Sequence, residues 1–217
     1  DRAPVPASTL PDGVDEDWWS QASRHLVERE YHASRTDDGW QAPNRQQDLR
    51  TLFAAEGVTV MPRGADPGWH WDWRLEAWGR DGRLIPAGAV PPAAEGPRVE
   101  YARGELLEWY VNRAEGLEQG FIVESRPCGE GELVLAGRVG GDLEARAGDG
   151  SVRFHDDRGH AVLDYDELKV WDATGRELPA RMDWQEGALA LRIDDTAAAY
   201  PVTVDPIVST PSWSEEG

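Results

Sequence analysis

Trp69, Trp71 and Trp73 alternate along one short stretch of a chain that carries 11 tryptophans in 217 residues. If that stretch is a strand, its period of two sends all three indoles to one face. Such a face has two uses. It can stack on the apolar side of sugar rings, which makes Trp69, Trp71 and Trp73 the candidate ligand-binding set. It can also pack into a core, where tryptophan buries a large area. Large aromatics sit more often inside than outside, and the core reading is preferred. A second cluster is His155-Asp156-Asp157 with His160 close behind. Imidazole and carboxylate ligands at that spacing suit zinc or another divalent ion. Against the metal reading, Asp157-Arg158-Gly159 has the composition of a hairpin turn, and turns gather Asp for backbone reasons.

Other chemistry finds less support. The D-x-D-x-D-G loop is absent, so calcium would be held only weakly, at acidic turns near Asp81, Asp149, Asp172 and Asp194-Asp195. No other cofactor is expected. Cys128 is the single cysteine, in the turn-like Arg126-Pro127-Cys128-Gly129, which rules out an intrachain disulfide and gives the thiol no neighbouring histidine in sequence. There is no G-x-S-x-G elbow, no Rossmann fingerprint and no P-loop. No catalytic residue is assigned, and a non-enzyme is expected.

The charge narrows the partners. Lys+Arg total 22 against 41 Asp+Glu, a net of −19, which repels phosphate backbones and anionic lipid surfaces. Nucleic acid is therefore not an expected partner. No apolar run approaches the length of a membrane helix. Lys169 is the only lysine.

These residues must be positioned by short β elements. Apolar segments from Tyr31 onward are brief and are broken by Gly, Pro, Asn and Asp. Expected strands include Asp48–Ala54, Trp69–Trp78, Arg98–Ala102, Leu106–Val111, Gly120–Ser125, Leu133–Val139, Ser151–His155, Ala161–Tyr165, Leu168–Asp172, Ala188–Ile193 and Tyr200–Val204. Closely spaced turn signals between them predict an all-β, antiparallel sandwich or open barrel. One short N-terminal helix is expected at 16–28, where Asp15 can cap and Glu16 and Asp17 occupy the first turn. The proline-rich segment Ile85–Pro97 is a long loop or a boundary between two β lobes. The resulting division is a flexible linker at 1–14, a helix and first lobe at 15–96, a second lobe at 97–207 that can share a domain with the first, and a linker at 208–217. Glu100, Arg103, Glu108 and Glu118 are either register-fixing ion pairs or solvated surface charges.

Several patches share an order and spacing. They are Gln41-Ala42-Pro43-Asn44-Arg45, Val99-Glu100-Tyr101-Ala102-Arg103-Gly104, Glu108-Trp109-Tyr110-Val111-Asn112, Gly116-Leu117-Glu118-Gln119-Gly120-Phe121, Tyr200-Pro201-Val202-Thr203-Val204-Asp205-Pro206 and the closing Trp213-Ser214-Glu215-Glu216-Gly217. Together they resemble the N-terminal region of myxobacterial-type FG-GAP, integrin-alpha-like repeat proteins. The resemblance implies an extracellular, cell-surface or periplasmic β module with a structural or adhesive role. A β-propeller of the same polypeptide would follow it as a partner, and a glycan or protein ligand is possible. It brings no catalytic residues. In that reading Tyr200–Val204 is a final strand closed by Asp205-Pro206, and Trp213 packs on the next domain. The alternative function is a carbohydrate-binding module that uses the Trp-rich strand.

Overall fold

A computed structural model describes residues 30–64, 68–148 and 150–211. The helix expected at 16–28, Asp149 and Trp213 lie outside the described residues. Within them the chain is all-β, with no helix and two antiparallel sheets in an unclosed, sandwich-like arrangement.

The strands, in chain order, are β1 (Ser34–Thr36), β2 (Gly39–Asn44), β3 (Leu49–Phe53), β4 (Val58–Pro62), β5 (Trp71–Arg80), β6 (Arg83–Pro86), β7 (Ala93–Glu95), β8 (Arg98–Arg103) and β9 (Leu106–Arg113). They continue with β10 (Gly116–Val123), β11 (Leu133–Gly141), β12 (Glu144–Gly148), β13 (Ser151–His155), β14 (Ala161–Trp171), β15 (Ala180–Gln185), β16 (Ala188–Ile193) and β17 (Val202–Ser209). The first sheet runs β1-β2-β3-β4-β5-β11-β16-β15, with β6 also paired to β5. The second runs β12-β13-β14-β17-β10-β9-β8-β7. The proline-rich segment is the crossover from one sheet to the other, and the short β7 within it pairs with β8. The segments read as two lobes do not build separate cores. Strand β11 of the later half pairs with β5 of the earlier half, and the buried apolar residues form one cluster.

Alternation of apolar and polar residues explains which faces meet. In β17 every second residue from Val202 to Val208 is buried, as expected for a strand with one face on a core. In β5, Trp71, Trp73 and Leu75 point inward. The indoles of Trp71 and Trp73 then pack across the sandwich on Phe154 and Tyr165, with ring centroids 5.8–6.3 Å apart. A bulge keeps Trp78 on the same face. Leu75 pairs with Gly137 and Ala77 with Ala136, so Glu76 is an extra residue that resets the alternation. Gly137 is required beneath Trp73, because a Cβ there would stand 2.1 Å from the indole.

Three strands differ from the expectation for local reasons. β2 contains Pro43, which sits beyond the residues paired to β1 and so needs no N–H on that side. β6 is exposed along its length, and β7 is very short. The final strand differs more. β17 does not stop at Asp205-Pro206 but runs to Ser209, and it lies between β14 and β10 rather than at an edge. A central proline is tolerated because the ladder is already broken there. Asp166 pairs with Ile207 and Lys169 with Asp205, so Glu167 and Leu168 together oppose Pro206 in a bulge.

A buried polar network ties the two sheets together. Glu108 Oε1 accepts the Trp73 indole N–H at 3.0 Å and the Tyr110 hydroxyl at 2.7 Å. Its Oε2 accepts Arg103 Nε and Nη2 at 3.1 and 3.0 Å. Gln119 donates to the Tyr110 hydroxyl at 2.9 Å and accepts from the Tyr165 hydroxyl at 2.7 Å. Arg103 also donates to the Gly88 carbonyl, which fastens the crossover segment to the second sheet. A second pin holds one end of the sandwich. Asp195 accepts Arg80 at 2.6 and 2.9 Å and the Tyr200 hydroxyl at 2.6 Å.

Candidate functional site

Of the residues singled out in the sequence, the tryptophans lie inside the sandwich and the acidic-histidine cluster lies at a turn. Trp71 and Trp73 are each 1% exposed. Trp69 precedes β5 and packs, partly buried, against the same core. The face of β5 that carries Trp71 and Trp73 is the inner one, so the three indoles do not form an open platform. Of the acidic-histidine cluster, His155 is buried on β13, while Asp157 and His160 are exposed beyond it. Asp156 Oδ1 accepts the backbone N–H of Arg158 at 3.0 Å and of His160 at 2.8 Å. The segment is thus a hairpin turn closed by its own aspartate; His160 Nδ1 also lies 3.4 Å from Asp156 Oδ2, while buried His155 and exposed Asp157 do not join that pair. Among the described residues no group of three or more His, Cys, Asp or Glu could hold a metal ion. The acidic turns are similarly engaged. Asp172 Oδ1 accepts from Thr174 Oγ1 at 2.6 Å, and Asp194 accepts from Thr196 Oγ1 at 2.7 Å. Asp195 is held as described above, and Asp81 Oδ2 lies 3.0 Å from Arg192 Nη1. Cys128 is exposed.

The arrangement with chemical potential lies on the outer face of the second sheet, over the β14 bulge. A cleft of about 270 Å³ is walled there by the β9–β10 hairpin (Arg113, Glu115, Glu118), by β14 (Lys169, Trp171) and by β17 (Asp205, Ile207). Two backbone features create it. Opposite the bulge, Pro206 has no N–H to give to the ladder. Within the bulge, Glu167 has a φ of 51°, a left-handed conformation that costs a non-glycine residue roughly 1–2 kcal/mol. Such outliers persist where the surrounding structure over-determines them, often at binding sites.

Strand alternation assigns the outward side chains. On β17, Val204, Pro206 and Val208 face the core, so Asp205 and Ile207 face out. On β10, Leu117, Gln119 and Phe121 are buried inward, so Glu118 and Gly120 face out. The register Leu117↔Val208 and Phe121↔Val204 sets Gly120 opposite Asp205. Beyond Gly120 lies Trp109, whose indole rests on the glycine. A Cβ at position 120 would come within 2.1 Å of that ring. The Arg98 guanidinium covers the other side, 4.6 Å from the ring centroid.

The charges in the cleft are unevenly satisfied. Arg113 Nε lies 2.8 Å from Glu118 Oε2, and Lys169 Nζ lies 3.7 Å from Glu167 Oε2. Asp205 has no hydrogen bond or ion pair to another described side chain. Burial, then the neighbouring charge of Glu118, pushes its carboxyl up to about 6, while Arg113 and Lys169 pull in the opposite direction. A carboxylate kept without a close partner in a concave, aromatic-walled site marks a functional candidate.

Sequence reasoning singled out Asp205-Pro206 as a strand terminator, Glu118 as either a register-fixing ion pair or a surface charge, and Lys169 as the lone lysine, but did not connect them. The connecting signal was the outward parity of Lys169 and Trp171 within a strand whose bulge the sequence did not reveal. No family model, curated protein or solved structure matches this chain.

Proposed function

We propose that the chain is a non-enzymatic recognition module, the interaction part of an extracellular polypeptide of the FG-GAP type that its sequence resembles. In that setting a β-propeller of the same polypeptide is its neighbour. The observation that carries the reading is the cleft between β10, β17 and β14. It combines a half-buried aromatic wall at Trp171, a strained bulge, and an aspartate whose burial works against stability.

The rest of the molecule supports a scaffold role. The buried ionisable groups Arg103, Glu108, Arg80 and Asp195 are engaged with one another and with neighbouring hydroxyls and carbonyls. Removing one partner of such a pair is costly, so these groups favour a single rigid arrangement of the sandwich. A rigid sheet face is a suitable base for a recognition site. The alternative of a sugar platform on the Trp-rich strand loses its basis, because Trp71 and Trp73 are in the core.

The test is binding of the wild-type protein and a Trp171→Ala variant to arrays of glycans, peptides and charged polymers. A ligand bound by the wild type and lost from a variant that keeps its melting temperature supports the cleft. Equal binding by both proteins places recognition elsewhere.

A further inference from the structure

The cleft's lining indicates what it would hold, and this inference rests on the recognition reading above. About 270 Å³ falls just below the roughly 300–1,000 Å³ of sites for drug-sized ligands, so one small ring fits and an extended surface does not. The lining carries both signs of charge. Arg113 and Lys169 are resident cations that oppose a cationic ligand. Glu115, Glu118, Glu167 and Asp205, within a chain of net charge −19, oppose an anionic one. A neutral ligand is the class that neither set repels, and it must satisfy ammonium and guanidinium donors together with carboxylate acceptors. The hydroxyl is the common group that both donates and accepts. Hydrogen bonds to charged partners are also the stronger kind. Trp171, half-buried on the outward side of β14, adds an apolar ring face, and Ile207 extends the apolar lining.

We infer that the cleft binds one pyranose residue of a neutral glycan, its C–H face against Trp171 and its hydroxyls over Asp205 on β17, between the Arg113–Glu118 pair on the β10 side and Lys169 on the β14 side. Asp205 is then the acceptor turned to the ligand, which accounts for its having no close partner among the described side chains.

The test uses the whole chain labelled with 5-fluorotryptophan, which separates the 11 indoles by fluorine NMR. A Trp171→Phe variant assigns the Trp171 signal. The probes are the methyl glycosides of glucose, galactose, mannose, xylose and N-acetylglucosamine, titrated into the millimolar range. The expected result is a saturable shift of the Trp171 signal with at least one sugar, while the Trp71 and Trp73 signals stay fixed. Asp205→Ala should weaken that sugar by about tenfold or more, the usual consequence of deleting a hydrogen bond to a charged group. The inference is overturned if no sugar moves the Trp171 signal, or if Asp205→Ala binds as the wild type does. If Trp171→Ala abolishes capture of a peptide or a charged polymer while no sugar shifts Trp171, the sugar assignment falls and the recognition cleft stands.

Discussion

Asp205→Asn should stabilise the protein at neutral pH and do nothing in acid. The aspartate carboxyl, ordinarily near 3.8, is raised to about 6 in the fold by burial and by Glu118. Between those values the native state holds a proton that the unfolded chain has released. The favourable contribution is therefore complete below about 3.8 and is lost as pH rises through about 6. At ~1.4 kcal/mol per tenfold, the ceiling of the cost at neutral pH is about 3 kcal/mol. The carboxylate is partly open to solvent, which screens its charge, and roughly 1 kcal/mol is the expected size. Asparagine keeps the shape and removes the charge. Urea unfolding of both proteins at about pH 7.5 should thus favour Asp205→Asn by ~1 kcal/mol, or about 2–4 °C in Tm for a chain of this length. At about pH 3.5 the two curves should coincide. A variant less stable than the wild type at neutral pH, or one whose advantage is the same at both pH values, would refute the account of Asp205 as an unsatisfied charge.

The core makes further predictions. Trp71→Ala should cost about 3–5 kcal/mol in urea unfolding, since the indole is fully buried against Phe154 and Tyr165. Glu108→Ala should cost a similar 3–5 kcal/mol, because it leaves the Arg103 guanidinium buried without its carboxylate. Glu108→Gln should also destabilise, since its single amide oxygen can serve Trp73 and Tyr110 but its amide nitrogen then faces the Arg103 donors. Gly120→Ala should lower stability by about 1–3 kcal/mol by lifting Trp109 off the sheet.

The fold was legible in the sequence wherever alternation was clean. β9, β11, β13 and β16 stand within a few residues of their expected places, because period-two apolar patterning follows directly from burying one face of a sheet. The alternation of Trp71 and Trp73 likewise pointed to the core. Legibility failed where the ladder is irregular. The Glu76 bulge that returns Trp78 to the inner face leaves no compositional trace. The β14 bulge made one strand look like two, and the proline it accommodates made β17 look finished at Asp205. The cleft exists because those two irregularities face each other across neighbouring strands. That juxtaposition depends on sheet order, which pairs β17 with both β14 and β10 and which local sequence does not encode. Of the charged residues in the patches that carry the resemblance, Arg103 and Glu108 form a buried pair within one hairpin, a contact that their separation in sequence permits but does not require.

The proposed seat of recognition is the outer face of the second sheet and not the Trp-rich strand. It is tested most directly by the Kd of an array-identified ligand for Trp171→Ala beside Trp69→Ala, the one partly buried indole of the original trio, with the melting temperature of each variant measured in parallel. Trp171→Ala should weaken binding by at least about tenfold with little change in Tm, the loss of one well-made contact. Trp69→Ala should lower Tm and leave the Kd of the folded protein unchanged. Loss of binding in Trp69→Ala with Trp171→Ala unaffected would contradict this placement.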